Sequence, residues 1–551
     1  MKNQTQNIFR VGTLSLAFYL LFSLTPAGNL RADLPLRIDS AKQLFVDDYA
    51  VSELNGVSRL FNQAEKHIKN PIMRAEKPWE GSMIYVGTVL YDDEATIFKM
   101  WYWVLNMKYQ VPPKPFSQYE NLLKAANYEE SFSLCYATSS DGINWERPNL
   151  GLVEFQGSKD NNLLPPVNDG KMHNYAGIIK DDRDPDPARR YKAVAWRPAT
   201  PNRSGSPHPL DIGLVNADAA PKAKSNRSGN PHPLGPDFGV GVYFSPDGLH
   251  WTSYSGNPVI RGTSDVHTLL GWDDRIGEYV AYFRPGAAQK MSPPAGKGFA
   301  RIIGYSTSKN FEEWTPIIPA LVPDKLDPVD TQFYGMPVMK HEGFYFGFPW
   351  VFRTNLLTHV PHFAYSRDGI HFNRTPLRND FLPLGANGSF DDGNAWMVGP
   401  VKHDGKLWFY YTGTRWRGAN DLFDLGDEVR DSIGLAILPL DGFVSIEAGP
   451  NVGTLTTRAL IFSGKDLIVN MEESRKGYGT DDLTSLRVEI LDESDKPISG
   501  FELERSVTMT STNIGQAVTW KGAPHLDALA GKVVKLRFHM RNVKIYAFQF
   551  L

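Results

Sequence analysis

A set of acidic residues stands out because each stands ahead of the same kind of segment. Glu80, Asp265, Asp330 and the pair Asp391-Asp392 lie just before apolar or aromatic runs: IYVGTVLYD, VHTLLGW, QFYGMPVM and AWMVGPV. One acidic residue at a strand entry or turn means little, because carboxylates commonly cap such places. The recurrence points further. Carboxyl groups held together push their pKa values apart, so that one stays protonated as an acid while another stays ionised as a base. Cleavage of a glycosidic bond needs that pair. The residue types assign Asp265 as acid, because its apolar neighbours would raise its pKa, Glu80 as base and Asp330 as a positioning carboxylate. One of Asp391 and Asp392 completes the pocket. Carboxylates carried by different elements are expected to sit about 6.5 to 9.5 Å apart, the spacing of an inverting mechanism. Trp79, Tyr334 and Trp396 beside these positions offer ring faces to a sugar, or else pack between elements. His173 and Asn174 open another such run, and His267 follows Asp265. Arg284 ends a strand-like EYVAYFR and either holds an anionic or hydroxyl-rich group or makes an ion pair.

What must position these side chains is a repeated unit. FKMWYWV, RYKAVAWR, EYVAYFR, FYFGFPW and LWFYYTG, beginning at Phe98, Arg190, Glu278, Phe344 and Leu407, each read as a strand buried on at least one face. A second strand-like run precedes each across a polar turn, which makes five hairpins. A third run then ends in a turn: YATSSDGINWERP, VYFSPDGLHWTSY, YSTSKNFEEWTPI, AYSRDGIHFNRTP and LAILPLDGFVSI. The Asp-Gly pair supplies the turn chemistry, and the Trp or Phe after it covers an edge. The same order five times over predicts an all-β fold, a five-bladed β-propeller. Because the inner strands of a propeller start at one mouth of its channel, residues just before them converge. Arg183-Asp184-Pro185 falls among the hairpin turns and reads as a turn, while Asp47-Asp48 reads as part of the strand that closes the ring. Two insertions, 108–130 and 198–239, interrupt the rhythm and read as loops. The second holds His208 and His232 in near copies of one nonapeptide, and solvated loop histidines are the simpler account of them.

After Gly449 the blade signature gives way to plain strands, a C-terminal β-sandwich whose last strand runs to the end of the sequence. The expected organisation is residues 1–32 as a signal peptide, 33–445 as the propeller and 446–551 as the sandwich. Lys2 and Arg10, the apolar run from Val11 to Leu24 and small residues at Ala27 and Ala32 make up the leader. The run is too short to span a bilayer, so a periplasmic or secreted protein without a membrane span is expected. Formal net charge is −3 with both signs interspersed, which excludes the basic stripe of a nucleic-acid binder. Cys135 is the only cysteine, so no internal disulfide forms, and within FSLCYATS it reads as a small core residue. No cofactor or metal is called for, and oligomeric state is not legible.

The repeat, the Asp-Gly turns and the carboxylates ahead of inner strands resemble the five-bladed propeller glycoside hydrolases, families 32, 43, 117 and 130 among them. YATSSDGINWERPNLGLVEF and LFVDDYAV resemble exported planctomycete-type family 32-like proteins. The resemblance covers roughly Leu44 to Ser445 and implies the architecture, a carbohydrate substrate and paired carboxylates at the channel. The family 32 motif Trp-Met-Asn-Asp-Pro-Asn-Gly is absent, and Cys135 follows Leu134 where that family has Glu-Cys, so no triad carries over. A glycoside hydrolase and a non-catalytic carbohydrate-binding propeller both fit. A glycoside phosphorylase would add a phosphate site, and no cluster of Arg, Lys and His at one mouth is legible in the sequence.

Overall fold

The computed structural model describes residues 34–81, 83–105, 132–165, 167, 173–197, 239–261, 263–285, 289–290, 299–417, 431–474, 484–523 and 525–551. The expected leader, both insertions with His208 and His232 except Gly239, and the segment 418–430 lie outside them. The fold is all-β: apart from short 3-10 turns such as Pro187–Arg189 and Leu526–Leu529, the described elements are strands.

Five antiparallel sheets follow one another along the chain. The first holds Met83–Asp92, Ile97–Leu105 and Phe132–Ser139. The second holds His173–Lys180, Tyr191–Arg197, Gly239–Ser245 and Thr252–Ser253. The third holds Thr263–Asp273, Glu278–Pro285, Ile303–Ser308 and Ile318–Leu321. In the fourth, Thr331–Phe333 and Val338–His341 make one interrupted first strand. Proline explains the interruption, since Pro337 and Pro349 have no N–H to give the ladder. The bonds Phe348 N–H to Pro337 O and Trp350 N–H to Gly335 O carry the pairing across the gap. The fifth holds Asn394–Met397, Val401–His403, Lys406–Thr414 and Ser432–Pro439.

The first strands of the first four sheets pack side by side in chain order, Trp350–Arg353 and Thr358–Pro361 of the fourth pack on Asn394–Met397 of the fifth, and the fifth sheet packs back on Met83–Asp92. A cavity of about 350 Å³ runs between them, lined by residues of all five, among them Thr88, Ile178, Leu269, Val338 and Gly399. Apolar cores fill the spaces between neighbouring sheets, such as Val194, Val242, Phe283 and Phe311 between the second and third and Tyr282, Phe333 and Tyr345 between the third and fourth.

The hairpin turns of the first strands carry a chain of clasps. Asp92 accepts from Lys180 of the next sheet at 3.2 Å, Asp181 accepts from Tyr279, Asp273 accepts from Lys340 at 2.7 Å, and Lys402 donates to His341 at 3.1 Å. His403 completes the round by packing on Tyr91, with centroids 4.4 Å apart. The sequence segments behind these contacts are the turn motifs YDDE, KDDR, WDDR, KHEG and KHDG. Arg183-Asp184-Pro185 lies in one of these turns, as expected, with the Arg183 guanidinium 3.5 Å over the Trp272 ring. His341, Glu342 and Asp441 bring ligand-type atoms within 4.8 Å of one another, but the ammonium groups of Lys42 and Lys402 already balance that cluster.

The Asp-Gly turns at the far edges repeat down to single atoms. In Ser139-Asp141-Gly142, Ser245-Asp247-Gly248 and Ser366-Asp368-Gly369 the serine Oγ accepts from the glycine N–H, and Asp Oδ1 accepts from the next two amides. Glycine is required at Gly248, where φ is +80° and an added Cβ would lie 2.7 Å from the Trp101 ring. Asp441-Gly442 departs from the pattern: Asp441 turns inward to His341, Lys42 and Asn470.

The remaining strands form two six-stranded sheets sharing one apolar core that includes Phe45, Leu455, Phe538 and Phe548. These sheets take strands from both ends of the chain. Leu36–Ile38, Gln43–Leu44, Val51–Asn55 and Val57–Phe61 pair with partners between Val444 and Phe550. Strands of residues 36–61, expected with the propeller, thus pair with the later set, and the expected cut between 445 and 446 falls inside the strand Val444–Ala448. Asp47-Asp48 is not in the closing strand: Asp47 pairs with Arg367 and Asp48 with Arg59. The edge of the fifth sheet is completed by Glu65–Lys66 and Met73–Arg74, which pair with Ser432–Pro439. The last strand, Val543–Phe550, does tie the C-terminal segment into a sheet.

Candidate functional site

Antiparallel register decides which residues reach the mouth opposite the clasps. The starts of the first strands lie level with the ends of the second and the starts of the third: Thr331 pairs with Arg353 and Arg353 with Thr358, while Asn394 pairs with Thr414 and Gly413 with Ser432. Three strand positions per sheet thus converge there, not one.

His359, at the start of a third strand, is the centre of the described cluster. Its imidazole stacks on Phe352 at 4.4 Å, meets Tyr334 edge-on at 4.6 Å and lies 5.5 Å from Trp396. Trp396 in turn lies 5.8 Å from Tyr85 and 5.3 Å from Trp416. The Arg284 guanidinium sits 3.9 Å over the Tyr334 ring and that of Arg301 5.6 Å from the same ring. Of the residues expected from sequence, Arg284, Tyr334 and Trp396 are brought together here.

Asp431 closes the cluster on the side of the fifth sheet. It is fully buried, and Trp416 Nε1 donates to its carboxyl at 3.0 Å. Burial pushes this carboxyl up to about 8, against the opposing pull of hydrogen bonds from Tyr85 and Trp416. Burial thus favours its neutral form, the one able to give a proton. Nearby, Asn394 Oδ1 accepts from the His359 N–H and its Nδ2 donates to the Trp416 carbonyl, tying the histidine to the tryptophan.

The carboxylates read from sequence are placed otherwise. Glu80 is fully buried and both its oxygens are engaged: Oε1 accepts from Tyr102 at 2.7 Å and from Arg147 at 2.5 Å, and Oε2 from the amides of Glu76 and Lys77. It braces a turn and is not open to act as a base. Trp79 beside it donates to Asn162 at 2.7 Å and packs on Phe155. Asp330 accepts from Arg353 at 2.8 Å and from the Asn355 amide at 3.2 Å. Burial alone would raise its pKa, but Arg353 and that amide outweigh burial and hold it below the ordinary value. Asp391 is held by Lys66 at 2.6 Å and by Tyr411, and Asp392 accepts from the Gly388 amide. Each of Glu80, Asp330 and Asp391 is thus engaged by a cation, and Asp392 by the Gly388 amide. The reason is local: a carboxylate at a turn finds amides and a cation within reach and is consumed by them. Asp265 and His267 lie in Thr263–Asp273, and His173 and Asn174 open His173–Lys180, but their side chains fall outside the described residues.

His359, Arg301, Trp416 and Asp431 are not among the residues expected from sequence, because none of them stands ahead of a first strand. The register of the hairpins is the signal that reaches them: Asp431 precedes SIGLAILP as Asp330 precedes TQF.

No protein-family model matches the sequence, and no curated protein does. Among solved structures, a glycosyl hydrolase from Bacteroides ovatus is 14% identical with a TM-score of 0.41, over 69% of this chain and 94% of its own. A structure from work on the GH130 family of mannoside phosphorylases, described as containing glycoside hydrolases that target β-1,2 mannosidic linkages in Candida mannan, is 16% identical with a TM-score of 0.41, over 69% and 94%. The GH32 β-fructofuranosidase of Bombyx mori is 11% identical with a TM-score of 0.40, over 87% and 94%. No activity is drawn from likenesses at this level.

Proposed function

We propose that this chain is a five-bladed β-propeller joined to a β-sandwich, exported by its leader, and that it is a glycoside hydrolase acting on a poly- or oligosaccharide at the propeller mouth. The ring of five sheets around one cavity supports the architecture. The observation that carries the function is the convergence of Tyr334, Trp396, Trp416 and Tyr85 beside a buried, protonated Asp431. Ring faces with a few fixed polar groups suit a sugar, and a carboxyl kept neutral at pH 7 suits protonation of a leaving oxygen. In this reading Asp431 is the proton donor, and Asp265, near the start of an adjoining first strand, is the second carboxyl. Glu80 and Asp330 hold the scaffold.

One observation favours phosphorolysis as a second reading: the guanidinium groups of Arg284 and Arg301 flank one tyrosine ring, a place for a phosphate. The test is release of reducing sugar from a panel of fructans, mannans, arabinans and pectins, with and without inorganic phosphate. Release that Asp265→Asn abolishes supports hydrolysis. Release of sugar phosphate only with phosphate present selects the second reading, and binding without release of either leaves a carbohydrate-binding propeller.

A further inference from the structure

Two Asn-Gly steps occur in the chain, Asn55-Gly56 and Asn387-Gly388, and both asparagines are exposed. An asparagine before glycine is chemically labile, because a residue without Cβ leaves its own nitrogen open to approach the asparagine side chain. Hydroxide takes the proton of the glycine N–H, and the nitrogen attacks the asparagine Cγ. The new N–Cγ bond forms, the Cγ–Nδ2 bond breaks, and ammonia leaves with a proton from water. Water then opens the succinimide ring at one carbonyl or the other, giving aspartate or isoaspartate. No oxidant or reductant takes part.

At Asn387 the fold intervenes at the attacking atom. Asn387 and Gly388 are the central residues of a turn closed by the Ser389 N–H to the Ala386 carbonyl at 2.9 Å, and Gly388 has φ +89°, as in a type II turn. The Gly388 N–H itself donates to Asp392 Oδ2 at 2.6 Å, and the charge of the acceptor makes that bond a strong one. The bond opposes the reaction twice. A carboxylate beside the nitrogen disfavours loss of its proton, and the nitrogen of a succinimide has no hydrogen, so ring closure forfeits the bond. Asp392 is in turn anchored, its carbonyl accepting from Arg417 at 3.1 Å. Asn55-Gly56 lies in the two-sheet unit, where Asn55 pairs with Thr454, and provides an internal reference.

We infer that Asn387 is a deamidation site and that the Asp392 carboxylate is its guard, holding the Gly388 N–H away from the reaction. The site matters to the mouth because this segment leads into Asn394–Met397, where Asn394 holds His359 and Trp416. An isoaspartate adds one carbon to the backbone there. In the test, purified protein is aged at mildly alkaline pH, both folded and in urea. Conversion of each asparagine is followed by mass spectrometry of its peptide, with isoaspartate identified by enzymatic methylation. In urea the two steps should convert at comparable rates. In the folded wild type Asn387 should convert about tenfold more slowly than in urea, the worth of one charge-assisted hydrogen bond. Asp392→Ala should return that factor at Asn387 and leave the folded rate at Asn55 unchanged. Asn387 that converts as fast in folded wild type as in urea overturns the inference, and so does an unchanged rate in the variant. A slower rate in the variant also overturns it and makes the carboxylate a base that promotes the reaction. If circular dichroism shows Asp392→Ala to be unfolded, Asp392→Asn, of the same shape, decides in its place: faster conversion of Asn387 supports the guard, and an unchanged or slower rate overturns it.

Discussion

The Lys340 ammonium of the fourth sheet lies 2.7 Å from the Asp273 carboxylate of the third, and Tyr345 donates to the other oxygen of the same carboxylate. The pair joins two sheets that share no backbone ladder, and Asp273 is 1% exposed whereas the lysine side chain is 36% exposed. Lys340→Met is expected to cost about 1 to 3 kcal/mol, because it leaves a buried carboxylate with one donor fewer. Adding Asp273→Asn should recover part of that loss. Urea unfolding of the two single variants and the double variant measures the coupling.

Asp431 predicts a stability that falls with pH. Its folded pKa is raised well above the ordinary Asp value, so between pH 4 and 8 the folded state holds a proton that the unfolded state has lost. The contribution is fully present below pH 4 and is lost as pH rises through about 8. Asp431→Asn removes the titration, so its melting temperature relative to wild type should rise steadily from pH 5 to pH 9. A constant difference across that range would show that the carboxyl is ionised throughout.

Glu80→Gln should behave as a structural lesion. The change leaves the Arg147 guanidinium, whose side chain is 10% exposed, with only the exposed Glu76 carboxylate at 3.9 Å as counter-charge, at an expected cost of about 3 kcal/mol. Glycan affinity of the folded fraction should stay within about twofold of wild type, in keeping with a single hydrogen-bonding group outside the site. A large loss of affinity at unchanged stability would return Glu80 to the site.

Two glycines separate backbone strain from crowding. Gly277 has φ +68° with nothing within 4 Å of an added Cβ, whereas at Gly248, φ +80°, the Cβ would meet Trp101 at 2.7 Å. Gly277→Ala should cost about 1 to 2 kcal/mol, the left-handed penalty alone. Gly248→Ala should cost more, by the displacement of a tryptophan that also donates to the Gly248 carbonyl at 2.7 Å. Thermal unfolding of the two variants gives the comparison directly.

The hairpins and their order were legible because short apolar and aromatic runs and Asp-Gly turns are written locally in the chain. The strand Val57–Phe61 was not, because its partner Val444–Ala448 lies at the other end of the sequence and nothing local marks that pairing. At the mouth, Tyr334 and Trp396 were found from their place in or beside first strands, and Arg284 from its place at the end of a second strand. The cations that hold Glu80 and Asp330, Arg147 and Arg353, were not legible because one is remote in sequence and the other belongs to the returning strand. Asp431 carries no local sign of its raised pKa, which arises from burial that only the packed sheets create.

The pairing of early strands with late ones sets a timetable for synthesis. Glu65–Lys66 and Met73–Arg74 wait for Ser432–Pro439, and Leu36–Ile38 waits for Leu460–Phe462. At roughly 5 to 20 residues per second, the gap of about 350 residues between Arg74 and Ser432 holds those first strands unpaired for roughly 20 to 70 seconds. During that interval their open edges are exposed to other chains. The edge of the fifth sheet can pair only once Ser432–Pro439 has been made, and the two-sheet unit closes later still, when Val543–Phe550 emerges.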